Sequence, residues 1–260
     1  MLLKKNKIPK LTLVGAGPGD PDLITLKGIK AIKTADVILY DALIADELLG
    51  YASKHAVKIY VGKRGGTDYI AQEDINKLIV DKAFEYGHVV RLKGGDPMVF
   101  GRGHEELDYA KAFGLETFII PGITSAIAVP EMQEIPVTKR GVSESFWVLT
   151  ATTKDGRLSK DLHLAAQSKA TVIVLMGVHK INQIVKLYAD LNRENLPIAV
   201  IQNGTCDNEK IAIGTIKNIE DLILEQNIQS PAIIIIGEVV LEHPTVLEKI
   251  ANEEVLKRFA

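Results

Sequence analysis

The chain has a single cysteine, Cys206, in 260 residues. One thiol can neither close an internal disulfide nor build a thiolate cluster, and such scarcity suits a reducing compartment and argues against a secreted protein. No window approaches the roughly 20 apolar residues of a membrane span. The opening MLLKKNKIPKL is basic but lacks the apolar stretch of a signal peptide, so a cytoplasmic location without a membrane partner is expected. An excess of one charge is also missing: 31 Lys and Arg face 33 Asp and Glu, a formal net charge of −2. That balance gives no overall electrostatic reason to bind nucleic acid. His55, His88, His104, His163, His179 and His243 show no paired metal-ligand spacing, so no metal is expected. Low-complexity segments and fixed-period repeats are lacking as well.

What remains is the balance of a globular protein, 47% apolar and 25% charged, with length for one large domain or two modest ones. The strand-like runs LTLVG, DVILYD, VKIYVG, VVRLKGG and ETFIIPG alternate with the helical patterns LITLKGIKAIKTA, EDINKLIVDKAFEYG and HEELDYAKAFG. Apolar runs between helices predict a mainly parallel sheet covered on both faces, hence an N-terminal α/β domain over residues 1–120. Residues 121–122, Pro-Gly, form a linker, and residues 123–260 a second α/β domain. There PIAVIQNG and KIAIGT are separated only by TCDNE, too short for a crossover helix, which predicts an antiparallel hairpin and a mixed sheet. PAIIIIGEVV reads as one more buried strand and VLEKIANEEVLKRFA as a closing amphipathic helix.

VGAGPGDPDLITLKG puts Gly15, Gly17 and Gly19 between a strand and a helix, where nucleotide phosphates often bind. A dinucleotide fingerprint needs Gly-x-Gly-x-x-Gly, whereas the spacing here is Gly-x-Gly-x-Gly. Pro18 and Pro21 remove amide donors, Asp20 and Asp22 repel a pyrophosphate, and no Gly-Lys-Ser/Thr ending makes a P-loop. A plain turn without a ligand is the alternative. VVRLKGGDPMVFGRGHEEL places Gly94, Gly95, Asp96 and Pro97 at the carboxyl end of a predicted strand, the edge at which open α/β sheets bind ligands. Paired glycines admit a ligand close to the backbone and Asp96 can accept hydrogen bonds, the alternative being an Asp-Pro turn. In GITSAIAV, Thr124 or Ser125 can cap a helix or meet a ligand.

Taken in order, VGAGPGDPDLITLKG, ADVILYDALI, VGKRGG, QEDIN, RLKGGDPMVFGRG, IPGITSA, IPVTKRG, VLMG, IQNGT and PAIIIIGEVV resemble the tetrapyrrole methylases, and within them the uroporphyrinogen-III C-methyltransferase branch. The likeness runs from about Leu11 to Val240, and RLKGGDPMVFGRG is its most specific part. It implies two α/β domains holding S-adenosyl-L-methionine in the cleft between them, release of S-adenosyl-L-homocysteine, and a homodimer. It also implies methylation of uroporphyrinogen III at C-2 and C-7 to give precorrin-2 via precorrin-1, for sirohaem or cobalamin.

Residue by residue, the resemblance assigns Pro18, Gly94, Gly95, Asp96, Val99, Thr124, Ser125, Met176 and Gly204 to the methyl donor. Asp41 matches the family's proton acceptor and Lys63 its proton donor; a cap at Asp41 and a substrate-carboxylate contact at Lys63 are the competing roles. A carboxylate-fringed macrocycle calls for guanidinium forks, and Arg64, Arg91, Arg102 and Arg140 lie in matching motifs, with structural ion pairs as the alternative. Three departures stand out: Thr138-Lys139-Arg140 for the family's Thr-His-Arg, TATTK for a Thr-Gly-His run, and His104 for a glycine. They bear on substrate contacts more than on the donor. Another precorrin methyltransferase, or an NAD-dependent oxidoreductase, are the rival readings.

Overall fold

The computed structural model describes residues 8–62, 70–153 and 155–259, with side chains as far as residue 252. Lys63 and Arg64 lie outside the described residues. The chain divides into two compact units, Met1–Thr124 and Ser125–Ala260.

The first unit runs β1 (Lys10–Gly15), α1 (Leu26–Thr34), β2 (Val37–Tyr40), β3 (Val57–Tyr60), α2 (Gln72–Tyr86), β4 (His88–Lys93), α3 (Gly103–Ala112) and β5 (Glu116–Ile120). Its strand order is β3-β2-β4-β1-β5, and every neighbouring pair is parallel. Alternate residues feed opposite cores. Leu11, Leu13, Val37, Leu39 and Val89 pack with Ile75, Ile79 and Val80 of α2 and Leu107 and Ala110 of α3. Val14, Ile38, Val90 and Leu92 pack on the other face with Ala31 and Ile32 of α1. Burial on both faces is why β1, β2 and β4 are rich in apolar residues at successive positions, whereas β3 and β5 at the sheet edges are less buried.

The helix after the glycine turn begins later than its sequence pattern suggests. A short 3-10 turn, Pro21–Leu23, intervenes, with Asp20 accepting from Asp22 N at 2.8 Å. Helix α1 then starts at Leu26, capped by the Thr25 hydroxyl, which accepts from Gly28 N at 3.0 Å. The Gly28 amide is therefore served locally, and the 3-10 turn separates the start of α1 from Gly15–Gly19, unlike a glycine loop that opens directly into a helix.

The second unit comprises α4 (Ser125–Met132), β6 (Phe146–Thr150), α5 (Lys160–Ala165), β7 (Thr171–Leu175), α6 (Ile181–Asp190), β8 (Pro197–Gln202), β9 (Lys210–Thr215), α7 (Ile219–Glu225), β10 (Ala232–Ile236) and α8 (Pro244–Phe259). The order β6-β7-β10-β8-β9 is mixed: β6 and β7 are parallel, and the other pairs, including the β8–β9 hairpin, antiparallel. In β10, Ile234 and Ile236 join the core under α5, α6 and α7, while Ile233 and Ile235 join Val129 of α4, Val239 and Val240 on the opposite face.

Two expectations need correction here. The strand in PAIIIIGEVV stops at Ile236, because Gly237 turns at φ 143° and residues 238–242 form a 3-10 helix. The last helix forms, but Leu247 and Ile250 are 46% and 40% exposed, so they are not the packed apolar stripe of an amphipathic helix. Among the described residues no helix is long and apolar enough to cross a membrane.

Candidate active site

In the first unit β1 leads through α1 to one side of the sheet, and β4 leads through α3 on the other face to the opposite side. The carboxyl ends of β1 and β4 therefore flank a topological switch point, where chains diverge and open α/β sheets leave a ligand crevice. Both glycine motifs sit there. Gly95 N donates to Gly17 O at 2.7 Å and Gly17 N to Gly95 O at 3.3 Å. A Cβ on Gly15 would stand 2.4 Å from Gly122 N and 2.7 Å from Gly95 O, so three main chains cross where no side chain fits. Asp96 ties the turn together, its Oδ1 accepting from Met98 N at 2.8 Å and its Oδ2 from Gly122 N at 3.1 Å. Pro18, Gly94, Gly95, Asp96 and Val99 are all partly exposed along this edge.

Beside it lies a buried ionic group. Alternation puts Arg91 and Lys93 on the face of β4 that α2 and α3 cover, 2% and 4% exposed. Glu106 of α3 meets both, its Oε1 accepting from Arg91 Nε at 3.2 Å, Lys93 Nζ at 3.0 Å and Gln72 Nε2 at 3.1 Å. Arg91 Nη2 donates to Asp41 Oδ1 at 2.5 Å, and Lys93 Nζ stands 3.9 Å from Asp41 Oδ2. Two cations thus meet two anions. Burial, and then the Arg91 charge, push the Lys93 ammonium below its usual range, while Glu106 and Asp41 pull it back up. Asp41, just past β2, keeps a side chain 26% exposed and has no hydrogen bond to Oδ2 among the described residues. Glu106 Oε2 is buried without a partner among the described residues, a state that costs about 1–3 kcal/mol or more.

Arg91 was expected at the substrate mouth. Its guanidinium instead points inward to Glu106, Asp41 and the Leu92 carbonyl, because strand alternation assigns residue 91 to the helix-covered face. Arg102 is exposed at the start of α3, in left-handed backbone at φ 57°, and its guanidinium forks onto Glu105 at 2.8 and 2.6 Å. Arg140 is exposed in the second unit. The roles of Lys93 and Glu106 were missed in the sequence, although two charges at alternate positions of a buried strand were a readable signal.

In the second unit Met176 follows β7 at φ 54°, with its side chain 52% exposed. Asn203 and Thr205, at φ 50° and 71°, flank Gly204 after β8. Such backbone is costly away from glycine and is concentrated at functional turns. Thr124 precedes α4 and Ser125 is its first residue. Near Met176, Thr152 Oγ1 lies 3.1 Å from His179 Nε2, at the departure TATTK. Lys139, another departure, pairs with Glu242 at 2.6 Å, and His104 is exposed on α3.

In the first unit the paired glycine turns and the half-exposed Pro18 leave a strand edge open without the row of helix-start amides that a polyphosphate site uses. The class, a methyltransferase, is given by the proteins that the chain resembles. The chain belongs to the Tetrapyrrole (Corrin/Porphyrin) Methylases, whose family pattern matches residues 10–220. It is 48% identical over 233 residues to a uroporphyrinogen-III C-methyltransferase of Methanocaldococcus jannaschii, covering 89% of this chain and 96% of that one. A Thermus thermophilus uroporphyrin-III C-methyl transferase solved with S-adenyl homocysteine aligns with a TM-score of 0.76 and 36% identity, over 89% of this chain and 98% of the other. A cobalt precorrin-4 methyltransferase aligns with a TM-score of 0.81 and 28% identity, over 92% and 99%. Other curated relatives are about twice as long, and the match spans 50% and 47% of two of them.

Proposed function

We propose that the protein transfers methyl groups from S-adenosyl-L-methionine to uroporphyrinogen III, at C-2 and then C-7, giving precorrin-2 through precorrin-1. It does so as a cytoplasmic homodimer serving sirohaem or cobalamin formation. The observation that carries the substrate is the near-half identity to a relative of that name along almost its whole length.

The methyl donor supplies an electrophilic methyl group on a positively charged sulfur. Pro18, Gly94, Gly95, Asp96, Val99, Thr124, Ser125, Met176 and Gly204 are the residues proposed to hold it. Alignment of methyl and ring carbon then lowers the barrier, by up to about 7–11 kcal/mol for well-oriented groups. Asp41 uses Oδ2, which has no hydrogen bond among the described residues, to accept the proton that the methylated ring must lose. Arg91 keeps the other oxygen in place at 2.5 Å. Lys63 takes the proton-donor role that the resemblance implies, the ring still losing one proton overall for each methyl group gained, and Arg64, Arg102 and Arg140 meet the macrocycle's carboxylates.

Thermal-shift titration tests the donor assignment against the oxidoreductase alternative. S-adenosyl-L-homocysteine is expected to raise Tm and NAD to leave it unchanged. The reverse pattern would overturn the assignment.

A further inference from the structure

Glu106 is the one acid buried among the described residues, and the chemistry above gives it no task. It lies where two cations would otherwise share one carboxylate. Lys93 Nζ is within hydrogen-bond distance of Glu106 Oε1 at 3.0 Å, but at 3.9 Å it falls short of Asp41 Oδ2. Arg91 bridges the two acids, Nε to Glu106 at 3.2 Å and Nη2 to Asp41 at 2.5 Å. If the Glu106 charge is removed, Lys93 and Arg91 have a single anion left in the group, Asp41. A carboxylate bound by cations through both oxygens is a poorer proton acceptor than one bound through one.

We propose that Glu106 is a positioning residue: by holding the Lys93 ammonium, it keeps that ammonium off Asp41 Oδ2 and leaves the oxygen open to the reacting ring. The inference rests on the base role proposed for Asp41, but its structural half does not. The burial of Glu106 on α3, opposite alternate positions of β4, gives it contact with both cations and none with solvent. It acts on the reaction only through them.

The test compares E106Q with the double variant K93M/E106Q, in which the buried charges balance again. In a crystal structure of E106Q the Lys93 Nζ to Asp41 Oδ2 distance is expected to close to about 3.2 Å or less. With uroporphyrinogen III, kcat is expected to fall about 10- to 100-fold, with unchanged affinity for S-adenosyl-L-homocysteine, and the double variant should recover most of the loss. An unchanged distance, a loss confined to KM, or a double variant no better than E106Q would overturn the proposal. If E106Q does not fold, K93M/E106Q carries the test: it should fold and retain kcat within about 10-fold of the parent, and failure of either contradicts the proposal. If the parent protein turns over no uroporphyrinogen III, the functional reading fails, and the distance in E106Q still decides the positioning role.

Discussion

Asp41 and Tyr188 show how differently a single polar group can be treated. Asp41, for which a proton-acceptor role is proposed, is anchored through one oxygen by a buried guanidinium and left partly exposed. Asp41→Asn keeps the size and the contact with Arg91 but removes the basicity. A kcat loss of about 10²- to 10⁴-fold is expected, with binding of S-adenosyl-L-homocysteine intact by calorimetry; unchanged turnover would assign Asp41 a purely structural role. Tyr188 of α6 is fully buried, and its hydroxyl has no partner among the described residues. Burial pushes its phenol far above the usual range, while the Arg193 guanidinium, 5.9 Å from the ring centroid, pulls it partly back, so the hydroxyl stays neutral. Tyr188→Phe removes an unsatisfied group and leaves the packing, so chemical denaturation should show stability unchanged or raised by about 1 kcal/mol. A loss of that size would reveal a hydrogen bond. The charges at residues 91 and 93 were visible in the sequence. Their partner was not, because Glu106 sits in HEEL, a run that reads as an exposed helix start, and only the fold brings it onto β4.

At the level of elements, the turns carry more information than the strands they follow. Gly15 and Gly122 belong to segments more than a hundred residues apart, yet their main chains touch: a Cβ on Gly122 would lie 2.6 Å from Gly15 Cα and 2.2 Å from Gly95 O. Gly15→Ala or Gly122→Ala should therefore cost at least about 1–3 kcal/mol, read as a lowered denaturation midpoint, along with loss of donor binding. In the second unit, Gly204 abuts α4, where a Cβ would meet Val129 Cγ1 at 2.4 Å. Gly204→Ala should lower Tm, and Gly204→Ala with Val129→Ala should restore much of it; an additive loss would contradict the contact as its cause. Strands β2, β7, β8 and β10 were legible because burial on both faces writes near-continuous apolar runs. Less legible were the 3-10 turn at Pro21–Leu23, which postpones α1, and the turn at Gly237, which ends β10 early. Both depend on main-chain geometry that apolar periodicity does not encode.

For the whole molecule, the parallel first sheet and the mixed second sheet follow from connection length. Helical crossovers join strands in the first unit, whereas a few polar residues join β8 to β9. The candidate site was legible as motifs, since RLKGGDPMVFGRG and IPGITSA mark turns at sheet edges. The inward direction of Arg91 and the charge-balanced group around it were not, because they arise from strand alternation against the helix that packs over β4 and from Asp41 on a different strand end. The measurement that bears most directly on the proposed activity is incubation of the purified protein with uroporphyrinogen III and S-adenosyl-L-methionine, followed by mass spectrometry of the tetrapyrrole. A product carrying two added methyl groups, formed through a singly methylated species, is expected. An unmodified uroporphyrinogen III, with methylation of a different precorrin under the same conditions, would contradict it.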